Sequence, residues 1–294
     1  MLDHQNPAPR SPSRVVVLGA GGFVGAAVKA RLESDGVPVL ALTSKDVDLL
    51  SADSPAQLAG LMQPTDALVF VSALTPDRGR DGATFMKNLT MAQHVCEALA
   101  RAPADHVVYI SSDAVYADDA NPVTERSPRQ PSGFHGMMHA AREMMLSSVV
   151  RSPLAILRPS LLYGEKDTHN GYGPNRFLRQ AKAGETIALF GEGEERRDHV
   201  LIDDVAEIVR LTLVHRSAGV LNIATGQSPS FREAAELAAR LFASSASVVG
   251  APRANPITHR HFDITDTLKS FPHFRYVSLD DGAARVHARM MELS

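Results

Sequence analysis

From residue 14 to residue 164 the chain alternates short, wholly apolar runs with longer segments in which apolar positions return every three or four residues. The apolar runs are Val15-Val16-Val17-Leu18, Val37-Pro38-Val39-Leu40-Ala41-Leu42, Ala67-Leu68-Val69-Phe70-Val71, Val107-Val108-Tyr109-Ile110 and Leu154-Ala155-Ile156-Leu157. Runs of this length, rich in β-branched residues and lacking polar alternation, suit strands covered on both faces. The periodic segments between them, above all 85–102 and 135–150, read as crossover helices. The pattern therefore predicts an α/β fold built on a doubly wound parallel sheet.

Beyond Gly164 the regularity weakens. A stretch rich in Gly, Asn, Asp and charged residues leads to Gly173, and helices are expected over 176–183 and 231–242. A Pro-punctuated stretch covers 251–274, and no internal repeat appears. With 294 residues the chain is long enough for one large core and a smaller satellite.

Composition removes several classes of function. Thirty basic and 33 acidic residues give a formal charge of −3, and no polybasic tract stands out, so neither nucleic acid nor a membrane surface is expected as partner. The single cysteine, Cys96, lies on an apolar helical segment and reads as a small buried hydrophobe, with no intrachain disulfide possible. The first thirteen residues carry three prolines and no apolar run long enough for a signal segment, and no run of about 18 apolar residues occurs elsewhere. A disordered tail over 1–13 and a cytoplasmic location are the expectations.

The first apolar run leads directly into Gly19-Ala20-Gly21-Gly22-Phe23-Val24-Gly25, which in turn opens a helical segment. In that context Gly19, Gly22 and Gly25 permit a tight turn, close approach of backbone to a pyrophosphate and close packing of helix on strand, with Phe23 and Val24 in the first helical turn. A dinucleotide is the expected cofactor. An acidic residue after the second strand would bind the ribose 2′-hydroxyl of NAD. Here Thr43-Ser44-Lys45 stands there, and two hydroxyls with a lysine suit a 2′-phosphate, so the expectation is NAD(P) with NADP favoured.

Two further segments carry chemistry: Ser111-Ser112-Asp113-Ala114-Val115-Tyr116, and His135-Gly136-Met137-Met138-His139-Ala140-Ala141-Arg142-Glu143. The first resembles the Ser-Ser/Thr-x-x-Val-Tyr-Gly strand end of the extended short-chain dehydrogenase/reductase family, in its nucleotide-sugar epimerase/dehydratase branch. The second resembles that family's Tyr-Gly-x-x-Lys-x-x-x-Glu helix, with His135 in place of tyrosine and His139 in place of lysine. Asn175-Arg176-Phe177 and the run from Gly191 to Ala206, containing Arg197-Asp198, resemble the family's substrate loop and the strand after it.

The resemblance extends from Arg14 to about Phe274. It implies a dinucleotide-binding domain over 14–164 with about 196–224, and a substrate domain from 165–195 and 225–294. It also implies a nucleoside-diphosphate sugar as substrate, Asp48, Ser72, Ala73 and Leu74 along the cofactor, Asn88 in a structural role, and Asn175, Arg197 and Arg260 as substrate-binding residues. A homodimer through the two long helices is implied as well.

In the family, tyrosine is the general acid/base on a sugar hydroxyl and lysine binds the nicotinamide ribose. Histidine, with an ordinary pKa of about 6.5, moves protons near neutral pH without a lysine to assist it. His135 is thus expected as proton shuttle, His139 as its neighbour on the same helix face and a ribose ligand, and Ser112 and Asp113 as supporting groups. Two imidazoles at this spacing also suit zinc, yet no third ligand is apparent, so no metal is expected. Three readings stay open: an epimerase/dehydratase-type enzyme with a histidine-based site, a nucleotide-sugar 4-keto reductase, and a catalytically eroded binder of nucleotide sugar or dinucleotide.

Overall fold

A computed structural model describes residues 1–243, 246–253 and 256–292. In chain order the elements are β1 (Asp3–His4), β2 (Arg14–Leu18), α1 (Phe23–Ser34), β3 (Val39–Leu42), α2 (Ser54–Leu61), β4 (Asp66–Phe70), α3 (Gly82–Arg101), β5 (His106–Ile110), α4 (Phe134–Val149), β6 (Leu154–Pro159), β7 (Leu161–Tyr163), α5 (Pro174–Ala183), β8 (Ile187–Phe190), β9 (His199–Leu201), α6 (Ile202–Val214), β10 (Ser217–Ile223), α7 (Phe231–Leu241), β11 (Val248–Ala251), α8 (Thr265–Ser270) and α9 (Leu279–Glu292). A single 3₁₀ turn, Asp113–Val115, follows β5.

The main sheet has the order β1-β10-β6-β5-β4-β2-β3. All its neighbours are parallel except β1, which runs antiparallel to β10. Because successive side chains of a strand face opposite ways, β2 sends Val15 and Val17 into one apolar layer and Val16 and Leu18 into the other. The first layer is closed by α1 and α6, and the second by α2, α3 and α4. This is the doubly wound sheet expected from the alternation of apolar runs. β2 lies between β3 and β4, so the crossovers diverge there, and a ligand crevice opens at the carboxyl ends of those strands.

A separate apolar cluster joins Phe177, Leu178, Ile187, Leu189, Phe231 and Ala235 from α5, β8 and α7, with Val286 of α9 against it. Here α7 begins with the Ser-x-x-Glu signature: Ser230 accepts from the Glu233 amide at 3.1 Å, and Glu233 accepts from the Ser230 amide at 2.6 Å. Part of the Pro-punctuated stretch, residues 254–255, lies outside the described residues, as do 293–294 of the expected substrate domain. Among the described residues no helix is long and apolar enough to cross a membrane.

Two expectations need correction. The first residues are not a free tail: Leu2 is buried, β1 covers the open edge of β10, and the N-terminal amine pairs with Asp266 at 2.6 Å. His4 fixes the same segment through the Ser217 hydroxyl at 2.7 Å and the Ser270 carbonyl at 2.8 Å. An exposed strand edge offers unpaired backbone groups, and this segment satisfies them from a distant part of the chain. The second strand is also shorter than its apolar run, beginning at Val39, since Pro38 has no amide hydrogen and contributes only its carbonyl, which accepts from Val15 at 2.9 Å.

Helix α4 is locked to the sheet by a buried ion pair. Glu143 accepts from Arg158 Nε at 2.9 Å and Nη2 at 2.6 Å, and from the Ser111 hydroxyl at 2.6 Å. Arg158 also donates to the Tyr116 hydroxyl at 2.8 Å, which donates onward to Asn222 at 2.6 Å. Removing one member of such a pair strands the other charge. Glu143→Ala is expected to lower unfolding stability by roughly 3–5 kcal/mol, read from denaturant melts against wild type. A loss under about 1 kcal/mol would mean that α4 is held by packing alone.

Candidate active site

The glycine turn between β2 and α1 is built for close approach. Gly19 sits at φ +102°, and a Cβ there would stand 2.8 Å from the Ser72 amide nitrogen on the neighbouring strand end. A Cβ on Gly25 would lie 2.1 Å from the Gly19 carbonyl oxygen, so helix and turn touch backbone to backbone. Helix α1 has no side-chain cap at Gly22, which leaves the first-turn amides, those of Phe23, Val24 and Gly25, for an anionic ligand. These features fit the pyrophosphate of a dinucleotide.

Ser72, Ala73 and Leu74 form the facing wall. Asn88 holds it by accepting from the Leu74 amide at 2.9 Å and donating to the Leu74 carbonyl at 2.9 Å, while Arg142 donates to the Ser72 carbonyl at 2.8 Å. At the end of β3, Ser44 and Lys45 are exposed. The next residue along the chain is a carboxylate. Asp46 accepts from the Thr43 amide at 2.8 Å and the Thr43 hydroxyl at 2.7 Å, and those bonds hold its carboxyl below the usual range. Asp48 instead caps a turn by accepting from the Leu50 amide at 3.0 Å.

Helix α4 carries the two histidines into the crevice. Gly136 lets its first turn rest on the 3₁₀ turn, since a Cβ there would meet the Ala114 carbonyl oxygen at 2.0 Å. This contact seats the start of α4, with His135 in its first turn, on the turn that carries Asp113. The His135 and His139 rings stand edge to face with centroids 4.8 Å apart. His139 is buried, and its Nδ1 lies 2.7 Å from the Tyr109 hydroxyl. Burial, then the nearby Arg142 and His169, push the His135 pKa down. Burial, then His135 and Arg142, push His139 well below the histidine range. Both shifts favour the uncharged imidazole.

Ser112 accepts from the Ala114 amide at 3.1 Å and so starts the 3₁₀ turn. Burial raises the Asp113 carboxyl above its usual range, against the pull of Arg260 and Arg197. Arg260 donates to the Asp113 carbonyl at 3.0 Å, to its carboxylate at 3.2 Å and to the Ala117 carbonyl at 3.0 Å. Arg197 pairs with Glu195 and donates to the Thr258 hydroxyl at 2.7 Å. Both arginines thus act on the Asp113 carboxyl, and each has an acidic partner. Asn175 stands apart. Its side chain accepts from the Gly164 amide at 2.9 Å and donates to Asp167 at 2.8 Å and the Leu162 carbonyl at 3.1 Å, so it shapes the loop after β7.

Sequence reasoning missed Tyr109, Arg142, His169 and Asp77. Tyr109 read as one more apolar strand residue, and Arg142 only as a letter within the helix motif. His169 meets Asp77 at 2.5 Å, linking the loop after β7 to the loop after β4 at the mouth of the site. Loop-to-loop contacts of this kind have no periodic signal in a sequence. Among the described residues no cluster of three or more His, Cys, Asp or Glu side chains is arranged to hold a metal.

Residues 15–224 match the family described as NAD dependent epimerase/dehydratase. The chain belongs to that family. It is 28% identical over 268 residues, 81% of this chain and 83% of the relative, to a UDP-glucose 4-epimerase of Mycolicibacterium smegmatis. Its fold is similar to that of a UDP-glucuronic acid 4-epimerase from Bacillus cereus solved with UDP-glucuronic acid and NAD, at a TM-score of 0.81 and 21% identity, covering 96% of this chain and 100% of the other. It is also similar to a GDP-L-fucose synthetase from Naegleria fowleri bound to NADP, at a TM-score of 0.85 and 17% identity, covering 98% and 96%. This member of the epimerase/dehydratase family is an extended short-chain dehydrogenase/reductase by sequence and a Rossmann protein by fold.

Three sealed histidines give the family member a defined acid response. Burial lowers His106 to about 4 and His199 to about 3, and lowers His139 strongly. In the unfolded chain these groups take up protons near pH 6.5, so the unfolded state binds more protons as pH falls and stability falls with it. Burial raises Asp198 and Asp204 to about 6, and these two oppose the trend as they protonate. Asp113 and Glu125 are raised too, but His106 and His199 cross wider gaps from their ordinary values than Asp198 and Asp204 do, and the histidines set the sign. The denaturant midpoint should be lower at pH 5 than at pH 7.5, and a midpoint unchanged between the two would show that the histidines are not held neutral.

Proposed function

We propose that the protein is a nucleotide-sugar oxidoreductase of the epimerase/dehydratase type in which His135 replaces the tyrosine as proton shuttle. The observation that carries this reading is the seat of His135 in the first turn of α4, which rests on the 3₁₀ turn of Asp113–Val115, with burial lowering the imidazole pKa. A neutral imidazole accepts a proton from a sugar hydroxyl on its free ring nitrogen and returns it later, with Ser112 as hydrogen-bonding support. Asp113, next to Ser112 in the chain, has its carboxyl pKa raised by burial, which favours its taking up a proton.

The glycine turn, the first-turn amides of α1 and residues 72–74 would hold a nicotinamide dinucleotide, which supplies hydride-transfer chemistry when bound. We assign the 2′-phosphate of NADP to Ser44 and Lys45, with the Asp46 charge turned back onto Thr43. Arg197, and Arg260 after release from Asp113, would take the diphosphate of a nucleoside-diphosphate sugar, for which a planar guanidinium offers two donors. The curated relative is a UDP-glucose 4-epimerase, which supports a sugar nucleotide as the substrate class. We also place a homodimer contact on α3 and α4, where Met86, Phe134, Met137 and Met144 are exposed, and a cytoplasmic location for the chain.

If His135 is the shuttle, turnover measured across a panel of nucleotide sugars should fall on the acid side with a midpoint below an ordinary histidine's 6.5. His135→Ala should abolish turnover while leaving dinucleotide affinity intact. Wild-type protein that binds both ligands yet changes neither the nicotinamide absorbance nor the sugar would favour the eroded binder instead.

Arg197→Ala removes a charge-assisted contact worth roughly 1.5–3 kcal/mol, so nucleotide-sugar binding by calorimetry should weaken by about tenfold or more. Lys45→Ala should weaken NADP and spare NAD. Equal cofactor affinities before and after that change would remove the 2′-phosphate assignment.

A further inference from the structure

We propose that Tyr109 is a positioning residue for this site: its buried hydroxyl donates to Nδ1 of His139 and holds that imidazole in the tautomer whose proton is on Nε2. The inference rests on the reading of α4 as the reaction helix. Tyr109 is fully buried on β5, His139 is buried one layer above it, and the oxygen-to-Nδ1 distance is 2.7 Å. With Nδ1 engaged, Nε2 is the nitrogen left to serve a ligand.

The direction of that hydrogen bond follows from what surrounds it. Arg142, also fully buried and one turn along α4, brings its positive charge close to the Tyr109 hydroxyl. A guanidinium only donates, so Arg142 offers the phenolic proton no acceptor. Were His139 to donate from Nδ1 as well, the phenolic proton would be sealed in the core with no acceptor, an arrangement that folded proteins avoid. His139 Nδ1 is the one acceptor within hydrogen-bond reach of that proton among the described residues. Donation from Tyr109 satisfies every group.

Arg142 itself is anchored for this task. It donates to the Asn88 carbonyl at 2.9 Å from Nε and 2.7 Å from Nη2, to the Asn88 side chain at 3.0 Å and to the Ser72 carbonyl at 2.8 Å, and it lies over the Phe70 ring at 5.2 Å. No carboxylate pairs with it among the described residues. The positive charge that the family keeps on a lysine is therefore kept here on a buried guanidinium, and His139 presents one oriented, uncharged N–H in the lysine's place.

The tautomer is measured directly by long-range ¹H–¹⁵N correlation of the imidazole rings in uniformly labelled full-length protein near pH 7.5, with His139 identified by its loss in His139→Gln. Wild type should show His139 protonated on Nε2 alone. Tyr109→Phe keeps the ring and deletes the hydroxyl, and its His139 nitrogens should shift toward the average of two exchanging tautomers. Protonation on Nδ1 or a mixture in wild type would overturn the proposal, as would a Tyr109→Phe spectrum identical to wild type. Should that variant fail to fold, the wild-type spectrum still decides. No substrate or turnover enters the measurement, so it separates this inference from the fate of His135 as shuttle.

Discussion

The buried carboxylate of Glu143 is the constraint on which the site depends. It is met by Arg158 from β6 and Ser111 from the end of β5, and Arg158 continues through Tyr116 to Asn222 on β10. Five elements are thereby fixed in one register by groups that cannot leave without exposing an unpaired buried charge. Helix α4 inherits that register. Two turns before Glu143, His135 is delivered to the 3₁₀ turn, and one turn before it His139 is delivered to Tyr109.

On the proposed function, the reaction centre differs from its family in charge as much as in residue type. Two imidazoles would stand where a phenol and an ammonium are usual, and burial lowers the pKa of both. The compensating cation is Arg142, on the same helix but turned into the sheet, where carbonyl oxygens and an aromatic face replace water. A phenol needs a nearby cation to lose its proton at neutral pH, whereas an imidazole does not. The relocation of charge and the change of residue therefore belong together.

The substrate side is organised by opposed charges. Asp113 holds Arg260, Glu195 holds Arg197, and both arginines pull on the Asp113 carboxyl. Charged groups this shielded persist only when paired, so in the absence of an anion the acids supply the partner. On the proposed function, a diphosphate entering the cleft would exchange with these acids.

The alternation of apolar runs and periodic segments determined the doubly wound sheet, because strands buried on both faces must be apolar throughout and crossover helices must bury one stripe. The glycine spacing after β2 determined the cofactor turn, because backbone contacts of the kind seen at Gly19 and Gly25 admit no side chain. What the sequence could not decide lies in contacts between residues far apart in the chain. That β1 closes the sheet edge, that Tyr109 orients His139, that Arg142 turns inward and that Asp46 rather than Asp48 bonds Thr43 depend on distances set only when the layers pack. Local periodicity reports which face a residue occupies, but a hydrogen bond depends on which atom waits on the opposite face, and only the tertiary structure supplies that.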